Sequence, residues 1–435
     1  MKRYFNFLIL SFTVLTLVSC SKDDNTDNPK SSTIADVVNN DPNFSTLKEA
    51  LIKTNLDKTL MGNGEFTVFA PTNAAFSDLF NQLKVNGIND LSSETLTPIL
   101  LYHVLGSKAL SSALQSGYVS TLSAGKGGKN LSLKIAINNG VKLNGNVNVT
   151  QADLMASNGV IHVIDKVLLP PTVADIASFD GSFTTLVSAL SSNNLVSTLS
   201  NPEGTFTVFA PTDNAFAALG SLPHDLMPIL LYHVMGDIVY SDQIATGYVG
   251  TLSKYSNNPI SLYIEKSNGV KLNGNVNVVA ADIVATNGVI HVIDKVLVPP
   301  TIADMAIANP NLSTLVAAVV KANLVETLSG AGPFTVFAPT NQAFSNLFSA
   351  LQITGINDLA NEQLTPVLLY HVVSGNVLSS SLSSGSVQTV QGSPLQISVG
   401  SGVTINATAN VVLADIQAAN GVIHVIDNVL LPPNK

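Results

Sequence analysis

The chain has no tryptophan, one cysteine and one arginine in 435 residues. Each shortage removes a class of behaviour. With Cys20 alone, no disulfide can close within the chain and no cysteine cluster can hold a metal. The single arginine is Arg3, so everything after the first few residues lacks a guanidinium with which to clamp phosphates. With a formal net charge of −9, this excludes nucleic acid as a partner. Charged residues make up only 11% of the chain, yet apolar residues reach 46%, enough for packed cores rather than a disordered polymer. No GxSxG elbow occurs, and Gly125 to Asn130 (GKGGKN) lacks the pattern of a phosphate-binding loop and reads as a hairpin tip.

What is present is repetition. The stretch NGVIHVID runs from Asn158 to Asp165, Asn287 to Asp294 and Asn420 to Asp427, at intervals of 129 and 133 residues. Such a period is too long for a solenoid repeat and fits a whole domain of ~100–200 residues. Three domains of one kind are expected, over residues 33–170, 171–299 and 300–433. They abut through Pro-Pro-Thr, which predicts a stiff array rather than beads on a flexible string.

Ahead of them, Lys2 and Arg3 precede an apolar run from Phe5 to Val18 that ends in LVSC (Leu17 to Cys20). This reads as an export signal over residues 1–19, and its ending resembles a lipobox with Cys20 as the lipidated first residue of the mature protein. Ser21 to Asp24 (SKDD) resembles the acidic tag that sends Bacteroidetes-type lipoproteins to the outer cell surface. Residues 20–32 then read as the lipidated cysteine and a flexible tether.

Each repeat opens on a Thr-x-x-Asp capping pattern: TIADVV from Thr33, TVADIA from Thr172, TIADMA from Thr301. A second helix is predicted over Phe44 to Leu56, with Phe44, Leu47, Ala50 and Leu51 on one face. FTVFAPT (Phe66 to Thr72) reads as a strand stopped by Ala-Pro, followed by a helix that Thr72 caps and that buries Phe76 and Leu79. A further helix ends in the YHV of PILLYHV, and Gly- and Asn-rich alternating segments then read as hairpins. The closing strand is apolar on both faces, with Val160, His162 and Ile164 on one and Ile161 and Val163 on the other, which predicts a central strand. Helices first and strands later give an α+β domain, a β-sandwich or wedge with flanking helices.

With FTVFAPTNxAF, YHV and NGVIHVID in order and three times over, each repeat resembles a fasciclin domain. The resemblance implies an α+β wedge used in extracellular adhesion or matrix binding, often in tandem and membrane-anchored. In animal members a Glu-Pro-Asp-Ile-Met pattern and the Tyr-His segment are linked to integrin binding. The matching positions are Asp153 and Leu154, Asp282 and Ile283, and Asp415 and Ile416, with Tyr102 and His103, Tyr232 and His233, and Tyr370 and His371. The Glu and Pro of that pattern are replaced in all three copies.

The residues leave bland alternatives beside these. Asp153, Asp282 and Asp415 are either recognition carboxylates or turn residues capping local N–H groups, the second being preferred. His162 and Asp165 lie three apart on a strand and point to opposite faces, so they cannot share a metal; a hydrogen-bonded core histidine is expected, and no cofactor. Asn158-Gly159 reads as a tight turn needing positive φ. The expected function is non-catalytic: an outer-membrane lipoprotein, exposed at the cell surface and held to the membrane by lipid on Cys20, that binds a protein, matrix or polysaccharide ligand. The alternatives are a glycan- or ligand-capturing accessory protein of an outer-membrane uptake system, with Tyr118 and Tyr248 as aromatic platforms, and a structural envelope spacer.

Overall fold

A computed structural model describes residues 32–220 and 223–433, so Cys20 and the leader lie outside the described residues. Chain order in the first repeat is helices α1 (Ile34–Asn40), α2 (Ser45–Thr54) and α3 (Leu56–Met61), strand β1 (Phe66–Pro71), then helices α4 (Asn73–Leu83) and α5 (Ser93–Tyr102). Six strands follow: β2 (Val104–Leu105), β3 (Gly117–Ala124), β4 (Asn130–Ile137), β5 (Val141–Leu143), β6 (Val147–Ala156) and β7 (Gly159–Ile164).

Local chemistry accounts for the breaks. Thr33 caps α1 through its hydroxyl while Asp36 reaches back to the Thr33 N–H at 2.8 Å, a full capping box that recurs at Thr172 and Thr301. The helix expected over residues 44–56 is in fact two. Asn55 sits in the left-handed region (φ 57°), ends α2 and lets α3 start in a new direction. Asn194 and Asn323 do the same in the later copies (φ 57° and 56°). Asparagine is among the few non-glycine residues that tolerate this conformation, so the Asn of KTNL, NNL and KANL was the available signal. Thr72 accepts the Ala75 N–H and starts α4.

The strands form one seven-stranded sheet in the order β2-β1-β7-β6-β5-β4-β3. Only β1 and β7 run parallel, in register from Phe66 opposite Gly159 to Pro71 opposite Ile164. β7 lies between β1 and β6 and all six of its residues are buried, as its two apolar faces predict. The two later repeats repeat this strand order.

Each domain has two cores. One lies between the helices and the β1–β7 end, with Phe44, Leu51, Phe76, Leu96 and Ile161. The other is enclosed by the bent sheet, with Phe69, Tyr102, Leu133, Ile135 and Ile164. The second core of domain 1 also takes in Tyr240, Val284 and Val289 of domain 2, so neighbouring domains share apolar surface. The junction carries polar contacts as well. Tyr118 donates to Asp180 at 2.7 Å, the Ser132 hydroxyl accepts the Val284 N–H at 2.9 Å, and Lys134 pairs with Asp180. Between domains 2 and 3 the Ser261 hydroxyl accepts the Gln417 N–H at 3.0 Å, and Asn309 donates to Tyr248 at 3.1 Å.

Candidate functional site

The Tyr-His pair closes α5 and its two side chains leave in different directions. Tyr102 points into the sheet, where its hydroxyl donates to the Ser132 carbonyl at 2.8 Å and accepts from Asn144 at 3.0 Å. Burial pushes the phenol pKa well above its ordinary value. Tyr232 with Ser261 and Asn273, and Tyr370 with Pro394 and Asn406, copy the arrangement. The three asparagines went unsingled by the sequence reading, although the repeated KLNG segment carries two of them.

His103 takes the other direction. Its Nδ1 lies 2.8 Å from the Ile99 carbonyl and its Nε2 accepts the Leu168 N–H at 2.9 Å, which assigns the proton to Nδ1. The ring thereby ties the end of α5 to the chain leaving β7. Burial pulls its pKa down to about 4, as it does for His233 and His371 in the same bonds. Both members of the pair are buried in every domain, so a ligand approaching the folded surface meets neither ring.

The second histidine has the opposite tautomer. His162 Nδ1 accepts the Asp153 N–H at 3.3 Å and Nε2 lies 2.9 Å from the Ala109 carbonyl, with the ring stacked on Phe69 at 5.6 Å. Asp153 stands in a bulge of β6, in the left-handed region (φ 62°). Its carboxylate accepts the Ser111 N–H at 2.8 Å and the Ser111 hydroxyl at 2.5 Å, and these bonds hold its pKa below the usual carboxylate range. Asp282 with Ser241, and Asp415 with Ser379, are built alike. The aspartates sit in turn-like backbone, but the N–H groups they cap are not the local ones expected: each carboxylate holds a serine 36 to 42 residues earlier in the chain.

What surrounds these aspartates differs between domains. Lys129 of domain 1 reaches Asp282 at 3.2 Å and Asp242 at 3.0 Å and lies over the Tyr240 ring, so the first domain's hairpin tip covers the Asp282 site. Ile283 and Ile416 are buried, whereas Leu154 is half-buried.

The tight turn expected at Asn158-Gly159 is present, with its positive φ on Gly159, and the asparagine has a further role. The Asn158 side chain is buried, accepts the Ile34 N–H at 2.9 Å and donates to the carbonyls of Leu60 at 2.7 Å and Gly62 at 3.1 Å. It staples the β6–β7 turn to the start of α1 and the end of α3. Asp165 instead holds Asn148, through its backbone N–H at 2.8 Å and its amide at 2.6 Å.

Tyr118 and Tyr248, expected as exposed platforms, are half-buried at the domain junctions and packed against the following domain's core. Among the described residues no group of three or more His, Cys, Asp or Glu is placed to hold a metal. An open cleft of about 1040 Å³ lies between α4 of domain 1 and Asp175 to Phe179 of domain 2, edged by Asp78, Asn81, Gln82, Asn146 and Lys166.

Comparison with known proteins gives a Fasciclin domain match at residues 42–170, 181–299 and 310–432. The pig transforming growth factor-beta-induced protein ig-h3 is 30% identical over 416 residues, covering 92% of this chain and 58% of its own. Human periostin is 27% identical over 419 residues, covering 92% of this chain and 47% of its own. The chain thus spans about half the length of these curated relatives. A solved domain pair from the insect cell adhesion molecule Fasciclin I aligns with 58% of this chain and 97% of its own, at 20% identity and a TM-score of 0.41.

Proposed function

The chain belongs to the fasciclin domain family, and from that premise we propose that it is a non-catalytic adhesion lipoprotein. It is anchored in the outer membrane by lipid on Cys20, displayed at the cell surface, and binds matrix, cell-surface or polysaccharide ligands. The observation that carries this reading is the shared-core junction between successive domains. A stiff array of like modules holds several weak sites at set spacing, so that engaging one raises the effective concentration of the next. Two checks separate anchoring from adhesion. Cys20→Ala is expected to move the protein from the membrane to the soluble fraction, and retention in the membrane would overturn the anchor. A deletion strain is expected to lose attachment to matrix, polysaccharide or sister cells, with the protein open to protease on intact cells. Protection from protease with unchanged attachment would favour an envelope spacer.

A second reading, glycan capture beside an outer-membrane uptake system, draws support from the cleft between domains 1 and 2. Amides, a lysine and carboxylates line it together with the half-buried Phe179, the mixture that sugar hydroxyls and apolar faces require. With Tyr118 held in a junction, the test moves to the cleft: Asn81→Ala with Gln82→Ala should abolish binding on a glycan array. Unchanged glycan binding would remove this reading.

A further inference from the structure

The two domain junctions are built the same way, and they define a matching pair of faces. The donor face, so called because it contributes the hairpin whatever the direction of its hydrogen bonds, is the β3–β4 hairpin. Its Tyr hydroxyl donates to Asp180 (Tyr118) or accepts from Asn309 (Tyr248), and its Ser hydroxyl accepts a backbone N–H (Ser132, Ser261). The acceptor face belongs to the next domain. It offers the residue that closes the first helix (Asp180, Asn309) and the backbone N–H two residues after the bulge aspartate (Val284, Gln417). The pairing is tuned residue by residue. Lys134 faces Asp180 in the first junction, while Tyr263, at the corresponding place beside Tyr248, accompanies neutral Asn309 in the second.

Domain 1 carries a complete acceptor face that no described residue covers. Asp41 closes α1, with one carboxylate oxygen on the Asn43 N–H as Asp180 has on the Ser182 N–H. Met155 stands at the place of Val284 and Leu110 at that of Tyr240. Their exposures are 56% and 37%, against 3% and 2% for the covered counterparts. Asp153 stands at the place of Asp282, and among the described residues no lysine lies on it. The β-hairpin of domain 3 offers no donor of the required kind, because Ser386 and Pro394 occupy the register positions that Tyr118 and Ser132 hold in domain 1.

We infer that the acceptor face of domain 1, centred on Met155 and flanked by Asp41 and Asp153, is a docking site for a β-hairpin of a different protein that presents tyrosine and serine hydroxyls together with lysine. The occupant's chemistry follows from what covers this face elsewhere in the same chain. An aspartate at position 41, rather than the asparagine of domain 3, calls for a lysine-bearing hairpin like that of domain 1. A back-to-back pair of domain 1 faces would gather the Asp41 and Asp153 carboxylates of both copies into one interface with no lysine from either face, which like-charge repulsion disfavours. This inference stands on the repeated junction and not on the adhesion reading.

The test gives this chain the missing donor. In the chain expressed from residue 20 onward with Cys20→Ser, residues 385–399 are replaced by residues 117–137, and Ser386→Tyr with Pro394→Ser on the native hairpin serves as a second variant. Melting curves establish that each is folded, and sedimentation velocity reads mass against concentration. At least one donor-bearing chain is expected to associate head to tail as concentration rises, while the chain with its native hairpin stays monomeric. Adding Met155→Glu should weaken that association at least about tenfold. Monomers from both donor-bearing chains up to several hundred micromolar would overturn the inference, including the case where residues 20–31 already occupy the face. So would association of the native-hairpin chain that Met155→Glu abolishes, which would make a second copy the occupant. Either result leaves the deletion-strain attachment assay free to succeed or fail on its own.

Discussion

His103, His233 and His371 each hold two backbone groups through a neutral ring, and that sets how the protein answers to acid. An unfolded histidine takes up a proton near pH 6.5, whereas these rings in the fold wait until about pH 4. Between those values the unfolded chain binds more protons, so stability is full above pH 6.5 and falls as the pH drops towards 4. The difference corresponds to roughly 3 kcal/mol per histidine at the lower limit. Urea unfolding at pH 7.5 and pH 4.5 should show this loss, and His103→Gln should flatten the slope for domain 1. The Asn158 staple is the other residue-scale prediction. Asn158→Ala strands the Ile34 N–H and two carbonyls in the interior and should cost about 2–4 kcal/mol. An unchanged urea midpoint would refute that role.

At the scale of elements, the β1–β7 pair is where the domain is least tolerant. A Cβ on Gly159 would lie 2.1 Å from the Phe66 carbonyl oxygen, and one on Gly288 or Gly421 would lie 2.3 or 2.0 Å from the matching oxygens. The neighbour in each case is backbone in a parallel strand, which cannot rotate aside. Gly159→Ala should therefore cost roughly 3 kcal/mol or more and part β7 from β1. Hydrogen exchange at the Phe66 amide, which bonds to the Asn158 carbonyl at 3.0 Å, would report the parting directly. Gly128→Ala, at an open hairpin tip with φ 84°, involves no such collision and serves as the control for backbone strain alone.

For the whole molecule, the junctions decide whether three domains act as one body. Burial works against the charge on Asp180, but the bonds from Lys134 and Tyr118 outweigh it and hold the carboxyl ionised below its usual range. Lys134→Ala leaves that buried carboxylate without its cation and should weaken docking of domains 1 and 2 by roughly 2–4 kcal/mol. Small-angle scattering should then show a broader spread of molecular dimensions, with the domain melts separating. An unchanged scattering profile would mean that the apolar contacts around Val284 and Tyr240 alone hold the junction.

Domain kind and repeat number were legible because whole motifs recur at intervals of 129 and 133 residues, and the capping boxes and the central place of β7 because each rests on near neighbours in the chain. A capping box spans three residues, and a strand apolar on both faces declares its burial by composition. The roles of the motif residues were not legible, because their partners lie far away along the chain. Asn158 meets Ile34 across 124 residues, His103 meets Leu168 across 65, and Lys129 meets Asp282 across 153. Tertiary structure alone turned Tyr118 from a platform into a junction residue and left Met155 uncovered while Val284 is sealed. Hydrophobic periodicity says that a face is buried; which surface buries it is decided only when the parallel pairing of β1 with β7 and the docking of each hairpin on the next domain bring distant segments together.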